Sequence, residues 1–365
     1  MVNGLRSYSF EVSESWIRPT SEIEMNSLLL RVTRNCPWGK CRFCDCYQSD
    51  FELRSVKEIK KDVDAVYKIY KKINSLIGKI GWEKAAVELS RLYDRSSEEL
   101  SHSELMNLYN IKMVYDWCSS SFSPVFLQDA DNLVMKTEDL TSILDYIEEN
   151  LSPSSISTYA RSNSLVKKGI EDLKSLRRAG LSRCHVGLES GDDKVLDYIN
   201  KGVSSEEHVL GGKKAIKAGL DLAEYVMPGI GGRKRSKQHA KETASVLNQI
   251  NPDQVLIRPY VPRKNTPLYK DYKRGKFELT SPKERLKELK KLIIQLNIKT
   301  RICFDQPVMN SWYKTPEHKK HLFKCSSKGY KLPEEEKRLI KIMEKGKKLK
   351  KKSHIHPKDL IDQSF

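Results

Sequence analysis

The feature that most constrains the fold is a repeated alternation of short apolar runs and amphipathic stretches. The run LLLRV at 28–32 reads as a buried strand, and 56–77 has helical periodicity. Residues 82–118 read as further helices, the last capped by Ser101 with Glu104 completing a capping box. From residue 125 the pattern becomes regular. Strand 125–127 precedes helix 137–150, and strand 156–159 precedes helix 165–179, which Gly180 stops. Strand 183–188 precedes helices 193–200 and 205–218, and strand 221–227 precedes helix 236–250. Strand 254–259 leads through a proline-rich loop, RPYVPRKNTP, towards helix 282–298. Six strands, each followed sooner or later by a helix, predict an α/β fold with a parallel sheet and right-handed crossovers. The strands are nearly continuous apolar runs, as required when both faces of a sheet are covered. Six units suit a partial (β/α)6 TIM-like barrel, whose chemistry sits on the loops after the strands' C-terminal ends.

On this reading residues 1–24 are an N-terminal segment. The barrel spans 25–270, with a helical insertion at about 80–120. Residues 271–340 form a basic, mainly helical C-terminal extension, and 341–365 a lysine-rich tail. No apolar run nears the ~18 residues that cross a bilayer. The start, MVNGLRSYSF, lacks the basic and apolar regions of a secretory signal. A cytoplasmic protein without membrane association is expected. The net charge of +18 is uneven. Residues 271–365 hold 26 Lys/Arg against 12 Asp/Glu, whereas the first 270 hold 40 against 36. The run KIMEKGKKLKKK at 341–352 reads as a frayed, solvated tail. Its other reading is a surface for polyanions.

Four of the eight cysteines crowd into the segment after the first strand, TRNCPWGKCRFCDCY at 33–47. Without a signal sequence, this crowding points to metal ligation in a reducing compartment. Two readings follow. Cys36, Cys41, Cys44 and Cys46 could close a tetrahedral zinc site, though zinc knuckles usually come as two separated pairs. Alternatively Cys36, Cys41 and Cys44 hold three irons of a [4Fe–4S] cluster, leave the fourth iron open, and have Cys46 as a neighbour.

Further polar and glycine-rich motifs fall at the predicted strand ends: FLQDADNL at 126–133, YARS at 159–162, GLESG at 187–191 with Lys201-Gly202 downstream, and YVMPGIGG at 225–232. In this order, behind the cysteine loop, they resemble the radical S-adenosylmethionine (radical SAM) superfamily. The usual cysteine spacing there is C-x3-C-x2-C, and this chain has one more residue in the first gap. The barrel motifs are similar to the branch of oxygen-independent coproporphyrinogen oxidase and the Elongator catalytic subunit. Ser236-x-x-His239, INPD at 250–253 and YKLPEE at 330–335 look like an uncharacterised subgroup.

The resemblance implies two cofactors, a [4Fe–4S] cluster on Cys36, Cys41 and Cys44, and S-adenosylmethionine. Gln128, Asp129 and Asp131 would lie at the turn that receives the methionine amino group. Tyr159 and Arg161 would follow strand three. Glu189 would meet the ribose or the amino group, and Lys201 or Arg161 the carboxylate. Met227 and Gly229 would pass against the adenine. It also implies a one-electron donor such as ferredoxin or flavodoxin. The substrate is not implied. With only ~25 residues before the barrel, cobalamin chemistry is not expected. Gln306 stands where relatives carry histidine after Asp305.

Each residue has a plainer reading. Glu189 could pair with Arg183 or another base across the barrel mouth, Asp129 and Asp131 could cap the helix near Thr137, and the glycines could form only a loop. His239 reads as a packed or exposed helix residue rather than a catalytic one, and His318, His321 and Cys325 as structural. Three functions remain: a radical SAM enzyme abstracting hydrogen from an unknown substrate, a radical SAM enzyme modifying RNA through its basic C-terminal region, and a zinc-stabilised α/β binding protein.

Overall fold

The computed structural model describes residues 3–13, 19, 24–47, 49–93, 100–120, 123–306, 310–314 and 319–361. The chain forms two compact units. The first comprises Met1–Asn35, Phe51–Tyr159 and Ser175–Ser182; the second comprises Cys36–Asp50, Ala160–Lys174 and Arg183–Phe365.

The first unit begins with β1 (Leu28–Arg31), the short pair β2 (Thr33–Arg34) and β3 (Glu52–Leu53), and the long helix α1 (Val56–Ile80). The helical insertion follows as α2 (Trp82–Ser90) and α3 (His102–Ser119). Ser55 with Glu58 and Ser101 with Glu104 form capping boxes, the second as predicted. Then come β4 (Val125–Gln128), α4 (Thr137–Leu151) and β5 (Ile156–Ala160). Strands β1, β4 and β5 run parallel in that order, and β2 and β3 form a separate antiparallel pair. Leu28, Leu29 and Leu30 are wholly buried, because helices cover one face and the sheet's own side chains fill the other.

The helix predicted over 165–179 is two helices, α5 (Ser162–Lys167) and α6 (Ile170–Arg178). Lys168 adopts extended backbone, and the N–H of Gly169 donates to Asp172 at 2.9 Å, so a new helix starts there. Glycine's low helix propensity favours the break.

In the second unit β6 (Leu181–Glu189) leads to α7 (Asp193–Tyr198) and α8 (Ser205–Lys217). It continues with β7 (Asp221–Val226), α9 (Gly232–Ile250), β8 (Gln254–Ile257), α10 (Pro267–Lys273) and α11 (Pro282–Ile294). The last elements are β9 (Thr300–Cys303), β10 (Ser311–Lys314), β11 (Lys319–His321), β12 (Tyr330–Leu332) and α12 (Glu336–Lys348). Strands β6–β7–β8–β9 are parallel neighbours, and β12 is antiparallel to β9.

Strands β1, β4, β5, β6, β7 and β8 carry the predicted β-then-helix order within a mostly parallel α/β arrangement of eight strands. The C-terminal extension is mainly helical, as expected, and also contributes β9 and β12. Helix α10 lies within the stretch read as loop; Thr266 caps it and Pro267 opens it.

The tail reading needs correction. Residues 341–348 belong to α12, where Leu339, Met343 and Gly346 are buried at helical spacing. Beyond it Ile355 and Leu360 pack on Val261. An apolar stripe hidden among lysines, rather than charge density, decides this segment. Among the described residues, no helix is long and apolar enough to cross a membrane.

Candidate functional site

The cysteine loop belongs to the second unit and is stitched to the turn between α7 and α8. The N–H of Arg42 donates to the Ile199 carbonyl at 2.8 Å, and the Trp38 indole N–H to the Asn200 carbonyl at 2.8 Å. Asn200 in return donates to the Lys40 carbonyl at 3.1 Å. The Arg42 guanidinium meets Asp271 at 2.6 Å, and the Tyr198 hydroxyl donates to the same oxygen. Trp38 lies over Gly202, where a Cβ would collide with the indole ring. Gly202 also has φ +66°, so glycine satisfies both demands.

This docking brings the loop to Arg161, Lys201 and Glu189. The Arg161 guanidinium lies 5.5 Å from the Trp38 ring centroid and donates to the Lys201 carbonyl at 2.7 Å. Lys201 Nζ is 3.1 Å from Glu189 Oε1, with side chains only 9% and 11% exposed. A Cβ at position 187 would strike both groups, so Gly187 leaves the room they occupy. Of the plainer partners for Glu189, the base is Lys201 and not Arg183, which pairs with Asp221 at 3.3 Å. Glu189 holds a left-handed backbone (φ +58°) at an irregularity where β6 meets β7. For a non-glycine residue that conformation costs about 1–3 kcal/mol and clusters at functional sites.

All four loop cysteines are free thiols of intermediate exposure. Burial pushes the Cys41 thiol up; the charges of Lys201 and Arg161 pull it down, while Cys44 and Glu189 oppose them. Cys41 therefore shares an electrostatic environment with Cys44 and the Glu189–Lys201 pair. The Cys44 thiol is held up by its hydrogen bond with Cys46, and Cys46 is pulled down by the same bond. Among the described residues, no three His, Cys, Asp or Glu side chains are gathered to hold one metal ion. A closed zinc site needs four ligands at about 2.0–2.3 Å from one centre, so that site is not preformed. A cubane spreads its thiolates over separate irons. Three cysteines outside any disulfide fit that donor chemistry, and Lys201, with Arg161 at Cys41, offsets part of the rise that burial imposes on Cys41 and Cys44.

The 227–231 loop follows β7 in the same unit. The N–H of Met227 donates to the Glu189 carbonyl at 3.0 Å, and that of Ile230 to the Met227 carbonyl at 3.1 Å. Met227 packs against the apolar group of Val195, Ile199, Ile230 and Tyr260. Gly229 donates its N–H to Glu288 at 2.6 Å. Thus the second unit brings Cys41 and Cys44 into the surroundings of Arg161, Glu189 and Lys201, and joins Met227 to Glu189, while Cys36 and Gly229 belong to the same unit.

Gln128, Asp129, Asp131 and Tyr159 belong to the first unit, and Gln128, Asp129 and Asp131 are fully or almost fully buried. The Gln128 side-chain oxygen accepts the Ser13 N–H at 2.8 Å. Asp129 pairs with Arg31 at 2.7 Å and accepts the Asn35 N–H at 3.2 Å. Its other oxygen and the Gln128 amide nitrogen are buried without a hydrogen-bond partner, which leaves bonding capacity there. Asp131 makes no side-chain cap, and Lys136 occupies the cap position of α4, so neither acid caps that helix. Tyr159 meets Phe126 edge to ring at 4.9 Å.

His239 is fully buried in α9, the packed rather than the exposed of its two plain readings. Its imidazole stays neutral, since burial pushes it down to about 4. His318 lies outside the described residues. Cys325 donates to the Asp305 carbonyl at 3.5 Å, a structural contact. Gln306 is buried, and Arg258, just past β8, pairs with Asp305 at 3.0 Å while stacking on Tyr225. Sequence reading missed Trp38, Arg42 and Arg258. For the first two, an aromatic and a cation between the cysteines were the available signal.

Residues 125–244 match the radical SAM superfamily. A stretch of 112 residues is 24% identical to the tRNA uridine(34) acetyltransferase of Methanocaldococcus jannaschii, covering 30% of this chain and 20% of that protein. The chain thus spans about one fifth of the length of that curated relative. Among solved structures, methylornithine synthase aligns with TM-score 0.44 and 13% identity over 74% of this chain and 63% of that one. Coproporphyrinogen III oxidase from Escherichia coli aligns with TM-score 0.38 and 18% identity over 47% and 39%. The superfamily match spans β4 to α9, the stretch that supplies Asp129, Arg161, Glu189, Lys201 and Gly229. Residues 125–244 therefore form a region similar to the radical SAM superfamily, whose enzymes use a [4Fe–4S] cluster with S-adenosylmethionine.

Proposed function

We propose that the chain is a radical SAM enzyme that abstracts hydrogen from a substrate still to be identified. When bound, the cluster and S-adenosylmethionine together supply a 5′-deoxyadenosyl radical, with an electron from a donor such as ferredoxin or flavodoxin. The protein's own residues bind, orient and shield. Cys36, Cys41 and Cys44 hold the cluster, with Arg161 and Lys201 balancing the thiolates' charge. Lys201 or Arg161 takes the carboxylate of the methionine end through charge-assisted hydrogen bonds. Glu189, already held by Lys201, accepts from a hydroxyl or ammonium group. Met227 and Gly229 offer an apolar surface and close backbone approach.

One observation carries this reading: the cysteine loop is anchored, through Trp38 and Arg42, onto the same turn that carries Lys201. A surface zinc knuckle has no need of that anchor. The test is anaerobic reconstitution, followed by measurement of iron and of 5′-deoxyadenosine formed from S-adenosylmethionine under a strong reductant. Protein that takes up zinc but no iron would remove the proposal.

A second reading concerns the substrate. Helix α12 exposes Lys337, Lys341, Lys345 and Lys348 at spacings of one helical face, and the curated relative is named for a tRNA. RNA binding through this face would weaken steeply with salt as counterions are released. Salt-independent RNA affinity in filter binding would remove it.

A further inference from the structure

Helix α11 lies outside the stretch that matches the superfamily, yet it reaches into the cofactor side of the site. Its Glu288 is 3% exposed. One carboxylate oxygen accepts the Gly229 N–H at 2.6 Å, and the other accepts the Ser236 hydroxyl of α9. The imidazole Nε2 of His239, also on α9, is 3.5 Å from the first oxygen. His239 Nδ1 is 2.8 Å from the Ser190 hydroxyl, which accepts the Asp192 N–H at 3.0 Å. Ser190 directly follows Glu189. One turn before Glu288, the fully buried Arg285 donates to Thr280 and to the Tyr260 carbonyl. Tyr260 in turn donates its N–H to the Pro228 carbonyl at 2.9 Å.

The Ser190–His239–Glu288 connection resembles a hydrolytic triad, but all three side chains are closed off from solvent. A nucleophile needs access to its substrate. Positioning is what these contacts can do. They grip the 227–231 loop from behind at Pro228 and Gly229, and His239, hydrogen-bonded to Ser190 at the strand end that carries Glu189, packs against Glu288 at 3.5 Å without a hydrogen bond to it.

We propose that Glu288 is a positioning residue: with His239 and Arg285 it makes the C-terminal extension part of the S-adenosylmethionine site by fixing the 227–231 loop and Glu189. This rests on the reading that Glu189 and the loop face the cofactor.

The groups facing the carboxylate are Arg285 on its own helix, Ser236 and His239 on α9, and the Gly229 N–H; Asp192 acts on His239. Burial pushes Glu288 up to about 7, against the hydrogen bonds from Ser236 and Gly229. The grip on Gly229 is therefore strongest above that pH, where both oxygens accept.

The experiment compares wild type, Glu288→Gln and Glu288→Leu, each reconstituted anaerobically. Cluster content, S-adenosylmethionine dissociation constant, KM against kcat for 5′-deoxyadenosine formation, and thermal midpoint are measured at about pH 6 and pH 8. All three proteins should carry the same iron, since no cysteine is touched. Glu288→Leu should bind S-adenosylmethionine about tenfold or more weakly, the loss of a charge-assisted hydrogen bond. Its KM should rise with little change in kcat. Glu288→Gln keeps the shape of the side chain, and its thermal midpoint at about pH 8 reports the balance between the buried carboxylate charge it removes and the buried Arg285 charge it leaves unopposed. The same variant should lose the wild-type gain in affinity between about pH 6 and pH 8. Wild-type affinity and pH profile in both variants would overturn the proposal, whatever the thermal midpoints. If Glu288→Leu does not fold, the Glu288→Gln pH profile decides. Wild type that takes up no iron, or binds no S-adenosylmethionine, would instead sink the functional reading.

Discussion

Lys201 Nζ lies 3.1 Å from Glu189 Oε1 with both side chains about nine-tenths buried, and Gly187 provides the space they fill. Removing one partner from such a pair leaves a bare charge, which typically costs about 3–5 kcal/mol. Lys201→Met should therefore lower stability by roughly that amount in urea unfolding. The double variant Lys201→Met with Glu189→Gln should recover much of it. A single variant as stable as wild type would mean the two groups do not depend on each other.

The cysteines divide by role. Cys36→Ala, Cys41→Ala and Cys44→Ala should each abolish most iron uptake on anaerobic reconstitution. Cys46→Ala should keep about four irons per chain. Iron and sulfide analysis with absorbance spectra would check this. Loss of iron in Cys46→Ala, with iron retained in Cys36→Ala, would reassign the ligands.

Gly202 carries Trp38 on its face and has φ +66°. Gly202→Ala should cost about 2–4 kcal/mol from strain and overlap. It should also loosen the cysteine loop, so iron uptake falls although no ligand changes. Gly275 has φ +71° but open space around it, so Gly275→Ala is the control for backbone strain alone. Equal effects of the two substitutions on iron uptake would contradict the role given to Trp38.

Much of this site was legible in the chain. The order of cysteine loop, GLESG, Lys201-Gly202 and MPGIGG placed most second-unit residues, because strand ends in a parallel α/β fold are where such signals fall. The Arg31–Asp129 pair was not legible. It joins residues 98 positions apart, and no local pattern announces it. Nothing in the charged stretch over 282–298 singles out Glu288 and Arg285, since their burial depends on how α11 packs on α9. The lysine run misled for the opposite reason: Leu339 and Met343 buried at helical spacing outweigh its charge.

The buried pair makes opposite contributions with pH. Glu288 is raised from 4.5 to about 7, so across that window the folded protein holds a proton the unfolded chain has released. Its contribution to stability grows as pH falls from 7 to 4.5. His239 is depressed from 6.5 to about 4, so the unfolded chain takes up a proton that the folded imidazole refuses. Its contribution is lost as pH falls through that range. Wild type should be nearly flat over the overlap. Glu288→Gln should lose roughly 3 kcal/mol on acidification across the His239 window, and His239→Gln should gain a comparable amount across the Glu288 window. Urea midpoints across pH would show it, and parallel profiles in both variants would contradict the assignment.

The most direct measurement is product formation by anaerobically reconstituted, reduced protein supplied with S-adenosylmethionine. Wild type should carry about four irons per chain and release 5′-deoxyadenosine and methionine, and Cys41→Ala should do neither. Wild type with a full cluster that leaves S-adenosylmethionine intact, alone and with cell extract, would contradict the account.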